Sequence, residues 1–230
     1  MAVQAFPAIA AVIPAAGVGQ RMQADKPKQY LRLHGKTVLE HSVQPLLSLE
    51  SVGQLYLALS ADDPYFAATG LTDPRIIRVE GGAERVHSVL NALQHIDAVR
   101  YPWVLVHDAA RPLVRRADIQ LLIERCLAAG HGGILATPVR DTMKRGQQQV
   151  QHTVDRTDLW HALTPQFFPT ALLTAAIGGA LAAGVAVTDE ASAMEWAQQS
   201  VLLVEGHSDN LKITRPADLQ LAAFYLEQNR

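Results

Sequence analysis

The sequence predicts an α/β protein built on a doubly wound, mostly parallel β-sheet. Two observations carry this: apolar runs of strand length recur along the chain, most of them separated by segments with helical spacing, and the runs are apolar at successive positions, as strands covered by helices on both faces must be. Composition agrees, because 49% of the 230 residues are hydrophobic and 18% charged, which suits one globular core. No linker, internal repeat or low-complexity tract divides the chain, so residues 1–230 are expected to form a single domain.

The elements follow in order. Ile9 to Ile13 is the first strand; the apolar stretch around it, Ala8 to Ala16, has no basic residues before it and contains Pro14, unlike a signal peptide or a membrane helix. Val38, Leu39, Ser42, Val43, Leu46 and Leu47 recur at helical spacing. Strands are then expected at Leu55–Leu59 and Ile76–Val79, a helix at Glu84–Gln94, a strand at Trp103–Val106, a helix at Ile119–Ala129 and a strand at Ile134–Ala136. Asp141 to Val154 breaks the alternation: it is polar, carries Gly146 and the run Gln147, Gln148 and Gln149, and reads as a hairpin pairing Thr142–Lys144 with Val150–Val154. An isolated two-stranded hairpin is marginal in water, so this arm, roughly 139–159, is expected to pack on a second copy of the chain, with Val150, Val154 and Trp160 as its apolar weight. A helix at Pro169–Ala183, a strand at Val201–Val204 and a helix at Pro216–Gln228 complete the pattern.

Charge excludes several partner classes. Twenty Lys and Arg against twenty-two Asp and Glu give a formal charge of -2, so no basic excess exists to hold nucleic acid or an anionic membrane. The single cysteine, Cys126, closes no intrachain disulfide, and no Cys or His cluster has metal-ligand spacing, which suits a reducing compartment and points to the cytoplasm.

In a doubly wound sheet ligands bind beyond the carboxyl ends of the strands, here after Ile13, Val79, Val106 and Ala136. The first of these loops reads Pro14-Ala15-Ala16-Gly17-Val18-Gly19-Gln20-Arg21-Met22, followed by Lys26-Pro27-Lys28-Gln29-Tyr30. Small residues let backbone N–H groups approach anionic oxygens, while Arg21 and Lys28 supply charge-assisted hydrogen bonds. The dinucleotide fingerprint is excluded because Met22 stands where its third glycine belongs, and the P-loop because no Gly-Lys-Ser or Gly-Lys-Thr is present. What remains is a grip for phosphates of another kind.

That loop resembles the signature of nucleotidyltransferases that move a nucleoside monophosphate onto a sugar or polyol phosphate. Gly81 to Ser88, His107 to Pro112, Pro138 to Lys144, Thr164-Pro165-Gln166, Thr188 to Ser192 and Asn210 to Thr214 narrow the resemblance to the 2-C-methyl-D-erythritol 4-phosphate cytidylyltransferase family, over Ala8 to Leu221. One departure is Leu163, where many members have Gln; it is expected to touch loop packing only. The resemblance implies a Rossmann-like nucleotidyltransferase fold with a protruding arm, and an Mg²⁺-dependent transfer of CMP from CTP to the polyol phosphate. It implies that Arg21 and Lys28 stabilise the transition state, and that Arg156 and Lys212 position the acceptor for attack. Pro14, Ala15, Ala16, Gly17, Gly19, Gly82, Ala83, Ser88, Asp108 and Ala109 would meet the nucleotide. Asp108, Arg111, Thr142, Arg156, Thr164, Thr188 and Lys212 would meet the acceptor, some donated across a homodimer. Mg²⁺ would be held mainly by nucleotide phosphates, with no dedicated protein ligand set.

The chemistry fits that implication. A phosphate monoester with a second pKa of about 6 is already mostly dianionic at neutral pH, so no Ser-His-Asp set is required for its attack. The barrier lies in bringing two polyanions together and stabilising charge at the α-phosphorus and on the departing pyrophosphate. Taken alone, Gly81-Gly82 reads as a turn, Arg156 as a surface pair with Asp155 or Asp158, and Lys212 as a solvated strand end; Asp108, which as a cap or a partner of Arg111 would be structural, reads instead as a carboxylate facing the cleft beyond its buried strand. His107 reads as a packed residue. The rival readings are a cytidylyltransferase for ribitol 5-phosphate or another polyol phosphate, and a non-catalytic nucleotide-binding regulator. A fusion with a second pathway enzyme is not expected, because the motifs fill the chain.

Overall fold

The computed structural model describes residues 6–17 and 25–228. In chain order the elements are β1 (Ile9–Pro14), β2 (Arg32–Leu33), β3 (Lys36–Thr37), α1 (Val38–Leu47), β4 (Val52–Leu59), β5 (Ile76–Glu80), α2 (Arg85–Gln94), β6 (Trp103–Val106), α3 (Arg116–Ala129) and β7 (Gly133–Pro138). They continue with β8 (Met143–Gly146), β9 (Val150–Val154), β10 (Trp160–Pro169), α4 (Thr170–Ala182), α5 (Glu190–Trp196), β11 (Leu202–Glu205) and α6 (Pro216–Gln228). The main sheet has seven strands in the order β11-β7-β10-β6-β1-β4-β5. Among these described strands, only β10 runs antiparallel to its neighbours, β6 and β7.

The doubly wound reading holds because the pleat divides each strand between two cores. In β1, Ile9, Ala11 and Ile13 join the core covered by α1 and α3, whereas Ala10 and Val12 join the core covered by α2, α4 and α5. All five are fully buried. Period-2 side-chain alternation with both faces apolar is what a strand sandwiched between helices requires. The chain leaves β1 for β4 and β5 on one side and returns to β6 on the other, so the order reverses between β1 and β6. That reversal opens a crevice at their carboxyl ends.

Local chemistry sets several boundaries. α1 begins in a capping box, with the Thr37 side chain accepting from the Glu40 N–H and Glu40 accepting from the Thr37 N–H. α3 stops at Gly130, whose φ of 72° places it in the left-handed region. α5 is capped by Asp189, with Ser192 answering three residues on.

Two expectations are corrected. Thr164-Pro165-Gln166 and Leu163, read as loop, lie within β10, where Leu163 is buried. The segment hides its strand character because two prolines and a polar core interrupt it, and its register with β7 shifts between Ala162 and Gln166. Trp160 likewise belongs to β10 and is only half buried, so it lends no weight to the arm. The arm itself is a hairpin: β8 and β9 pair with each other, and among the described residues with no strand of the main sheet. Val150 is 64% exposed. Among the described residues no helix is long and apolar enough to cross a membrane.

Candidate active site

A cavity of about 370 Å³ opens at the β1/β6 reversal, lined by Pro14 to Gly17, Lys28, Gln29, Gly82 to Arg85, Ser88, Asp108 to Ala110 and Lys212. It gathers the loops after β1, β5 and β6 with a segment from near the C-terminus. Of the residues expected here, Pro14, Ala15, Ala16, Gly17, Lys28, Gly82, Ala83, Ser88, Asp108, Ala109 and Lys212 line it. Gly19 and Arg21 lie outside the described residues.

The loop after β1 is shaped by where its carbonyls go. Gln29 Nε2 donates to Ala15 O at 2.7 Å and to Gly17 O at 3.0 Å, and Ser60 Oγ donates to Ala16 O at 3.1 Å. Three successive carbonyl oxygens are thereby engaged by protein donors, which suits a surface that receives an anion. The Ala15 N–H is engaged as well, by Ala58 O at 2.8 Å, so Ala15 serves the cavity through its small side chain. Gln29 was not singled out as a site residue; its place directly after Lys28 was the available signal.

The loop after β5 packs directly on this one. A Cβ on Gly81 would lie 2.3 Å from Ala16 Cβ, so Gly81-Gly82 is a close approach of two loops as well as a turn. Ser88 Oγ accepts from the Gly82 N–H at 3.0 Å and donates to Glu84 O at 3.2 Å, fixing the loop that opens α2. Gly81→Ala is therefore expected to push the loops apart and raise KM about tenfold for the nucleotide that the resemblance implies, the equivalent of roughly 1.4 kcal/mol of overpacking, with the fold retained. Steady-state kinetics with varied nucleotide and a thermal melt check it; an unchanged KM would contradict the packing argument.

Asp108 is the hub. Its carboxylate lies 2.8 Å from Lys212 Nζ, 2.8 Å from Arg85 Nε and 3.6 Å from Arg111 Nε. Burial alone would raise its pKa, but these three cations outweigh that and hold the carboxyl well below the usual carboxylate range. Lys212 reaches Asp108 because its strap is pinned: the Ile213 N–H donates to Ala110 O at 2.8 Å, and Lys28 Nζ donates to Ile213 O at 2.7 Å. The two lysines are thus tied to the same short segment.

Other expected residues are placed differently. Thr164 is buried under Asp108: its hydroxyl accepts from the Asp108 N–H at 3.0 Å and pairs with His107 Nδ1 at 2.9 Å. It holds the hub from beneath and is not among the residues that line the cavity of one protomer. Arg111 donates to Asn210 O at 2.7 Å and to Ala162 O at 3.4 Å, bracing the floor of an adjoining depression that Lys212 also lines. Thr142 and Arg156 are exposed at the arm, with Arg156 donating to Arg140 O; exposed Thr188 donates to Ser192 Oγ through its N–H at 3.1 Å. None of these three lines either cavity.

His107 has no exposed surface, and its Nε2–H faces Arg111 O at 3.1 Å, which leaves Nδ1 to accept from Thr164. Burial lowers its pKa from 6.5 to about 4, with only partial relief from the Asp108 charge. The unfolded chain takes up this proton near pH 6.5 and the folded chain only near pH 4, so between those values the unfolded state binds more protons. Stability therefore rises with pH across that window, by about 3 kcal/mol in all, and the contribution is complete above about pH 6.5. Asp108's own contribution is lost lower, as pH falls below the ordinary carboxylate value. Urea unfolding at pH 7 and pH 5 is expected to show a smaller loss in His107→Gln than in the unaltered protein; parallel losses would overturn this.

Among the described residues no group of three His, Cys, Asp or Glu side chains is arranged to hold a metal. Glu84 and Asp108 are the carboxylates of the lining, and Asp108 is already engaged by cations. Such a donor set fits a hard cation carried by phosphate oxygens and water rather than a protein cage.

Comparison with known proteins gives a consistent answer. The family model described as 2-C-methyl-D-erythritol 4-phosphate cytidylyltransferase matches residues 9–228. Curated proteins of that name from Vibrio vulnificus and Vibrio cholerae are 56% and 58% identical, over 96% of this chain and 96% and 97% of theirs. A crystal structure of 4-diphosphocytidyl-2C-methyl-D-erythritol synthase superposes with a TM-score of 0.83 at 35% identity, covering 96% of this chain and 100% of that one. The 2-C-methyl-D-erythritol 4-phosphate cytidylyltransferase of Thermus thermophilus superposes at 0.80 with 31% identity, over 95% and 98% of the two chains.

Proposed function

The chain belongs to the 2-C-methyl-D-erythritol 4-phosphate cytidylyltransferase family, and from that premise we propose how its cavity carries the reaction. The enzyme transfers the cytidylyl group of CTP to 2-C-methyl-D-erythritol 4-phosphate, releasing pyrophosphate. The acceptor phosphate oxygen forms the new bond to the α-phosphorus, and the bond to the bridging oxygen of the β-phosphate breaks in line with it. No general base is needed, because the attacking monoester is a dianion at neutral pH.

The observation that carries the reading is the cationic wall around Asp108 and the loop after β1. Lys28 and Arg21 stabilise charge on the transferring phosphoryl group, while the loop from Pro14 to Gly19 accepts the triphosphate. Gly82, Ala83 and Ser88 meet the base. Asp108, flanked by the small Ala109 and Ala110, meets the ribose or the polyol. Lys212 and Arg111 orient the acceptor from the adjoining depression. A bound Mg²⁺ would be held mainly by the phosphate oxygens of the nucleotide and would neutralise charge on the α-phosphate and the leaving pyrophosphate.

Arg156, Thr142 and Thr188 have no place in the cavity of one protomer, which supports a composite site completed by a second copy. The arm carries that dimer: its strands are exposed at every position but Val154, and two strands alone are marginal in water. Sedimentation as a dimer is expected, and a monomer at micromolar concentration would overturn the composite site. The cytoplasm is the compartment this reading favours. It is supported by the lone Cys126, whose thiol burial pushes up to about 12, leaving it unreactive.

The deciding assay is Mg²⁺-dependent pyrophosphate release with CTP and 2-C-methyl-D-erythritol 4-phosphate, against ribitol 5-phosphate, no acceptor, and UTP or ATP as donor. Release only with the first pair is expected. Comparable release with ribitol 5-phosphate would change the acceptor assignment, and CTP binding without release under any acceptor would leave a nucleotide-binding regulator.

A further inference from the structure

Glu190 is 1% exposed, does not line the cavity, and still forms a bidentate ion pair with Arg85, at 2.7 Å (Nη1 to Oε1) and 3.1 Å (Nη2 to Oε2). The third side of the same guanidinium, Nε, donates to Asp108 at 2.8 Å. Glu190 itself sits on a docked element: Gln166 of β10 donates to Asp189 at 2.8 Å and accepts from the Ala191 N–H at 2.8 Å, fixing the first turn of α5 to the sheet. A rigid path therefore runs from β10 through α5 and Glu190 to Arg85 and Asp108.

We propose that Glu190 is a positioning residue for cytidylyl transfer, gripping the Arg85 guanidinium so that it holds the Asp108 carboxylate in its working orientation. The proposal rests on reading Asp108 as a substrate contact. The physical need is specific to this cavity. Arg85 lines it and is 27% exposed, and the cavity receives a polyanion. An arginine tethered only through Nε would be drawn from Asp108 to the phosphate oxygens, whose charge is larger. The fork of Glu190 engages both terminal nitrogens and removes that freedom. A buried ion pair is weak evidence for stability, since well-packed apolar residues of similar volume often do as well. Its position one residue from the hub is better explained by orientation.

A double-mutant cycle tests it, with pyrophosphate release from CTP and 2-C-methyl-D-erythritol 4-phosphate as readout and a thermal melt on each variant. Asp108→Asn is expected to lower kcat/KM on the order of 10²-fold or more, and Glu190→Gln about 10- to 100-fold. The double variant is expected within about threefold of Asp108→Asn alone, because residues acting as a unit are not additive. A purely structural role for Glu190 would multiply the two losses and overturn the proposal, as would an unaltered rate in Glu190→Gln. Near-normal turnover in Asp108→Asn would instead remove the reading of Asp108, and the proposal with it. Should Glu190→Gln fail to fold, Arg85→Lys replaces it in the cycle: it keeps the charge and loses the fork, and the same non-additive loss is expected.

Discussion

Lys28→Met is expected to lower kcat for pyrophosphate release on the order of 10²- to 10³-fold while leaving the protein folded. The magnitude is that of removing one preorganised donor aimed at developing charge in a site screened from water. Three features of the chain place the ammonium there. Pro27 precedes the short 3-10 turn Lys28–Tyr30, and the two residues after Lys28 are buried, so the turn is anchored. Gln29 grips the carbonyls of the loop after β1, and Tyr30 donates to Asp63 at 2.6 Å, so the backbone that carries Lys28 is fastened to the loop after β1. Lys28 itself donates to Ile213 O at 2.7 Å, one residue from Lys212. Methionine keeps the stem and removes the charge, so the loss reads electrostatics rather than packing. Single-turnover kinetics with a CTP titration check it: a fall in kcat with little change in nucleotide affinity is expected, and a loss below tenfold would remove Lys28 from the transition state.

Much of this architecture was legible in residue order because it depends on local periodicity. The runs at Ile9–Ile13 and Trp103–Val106 announce central strands, and the loops that follow them line the crevice with Pro14 to Gly17 and Asp108 to Ala110. What was not legible depends on partners distant in sequence. Strand β10 has no alternation to read, because Phe167 and Phe168 point into opposite cores while Thr164 and Gln166 serve Asp108 and α5. α5 is too short, at seven residues, for periodicity to find; its signal was the capping pair Asp189 and Ser192. Arg85 and Glu190 carry no local mark, since an arginine opening a helix and an acid in a first turn are both common on surfaces. Only the fold makes them neighbours. Thr164 shows the converse: a motif residue whose hydroxyl lies beneath the cavity, where sequence alone could not separate contact from support.

Phe168→Ala is expected to destabilise the protein by about 3–5 kcal/mol, a large part of the roughly 5–15 kcal/mol that holds a typical fold together. Phe168 is fully buried in the core shared by α2, α4 and α5, opposite Val104 on β6. Its ring lies against bare backbone: a Cβ on Gly132 would approach Phe168 Cδ1 to 2.1 Å. Removing the ring leaves a cavity bounded by the central strands, whose main-chain hydrogen bonds resist collapse, so little of the lost contact is recovered. Phe167, on the opposite face, stacks on Trp103 with ring centroids 4.8 Å apart and keeps β10 attached to the other core. The variant is therefore expected to fold with a melting temperature lower by about 10 °C or more, and to retain activity per folded molecule at low temperature. Phe168→Leu is expected to cost markedly less, because it refills much of the volume. Urea unfolding of the three proteins decides the matter. A loss below about 1 kcal/mol in Phe168→Ala would mean that β10 is not the keystone of the main sheet. The support it gives Asp108 through Thr164, and α5 through Gln166, would then need another source.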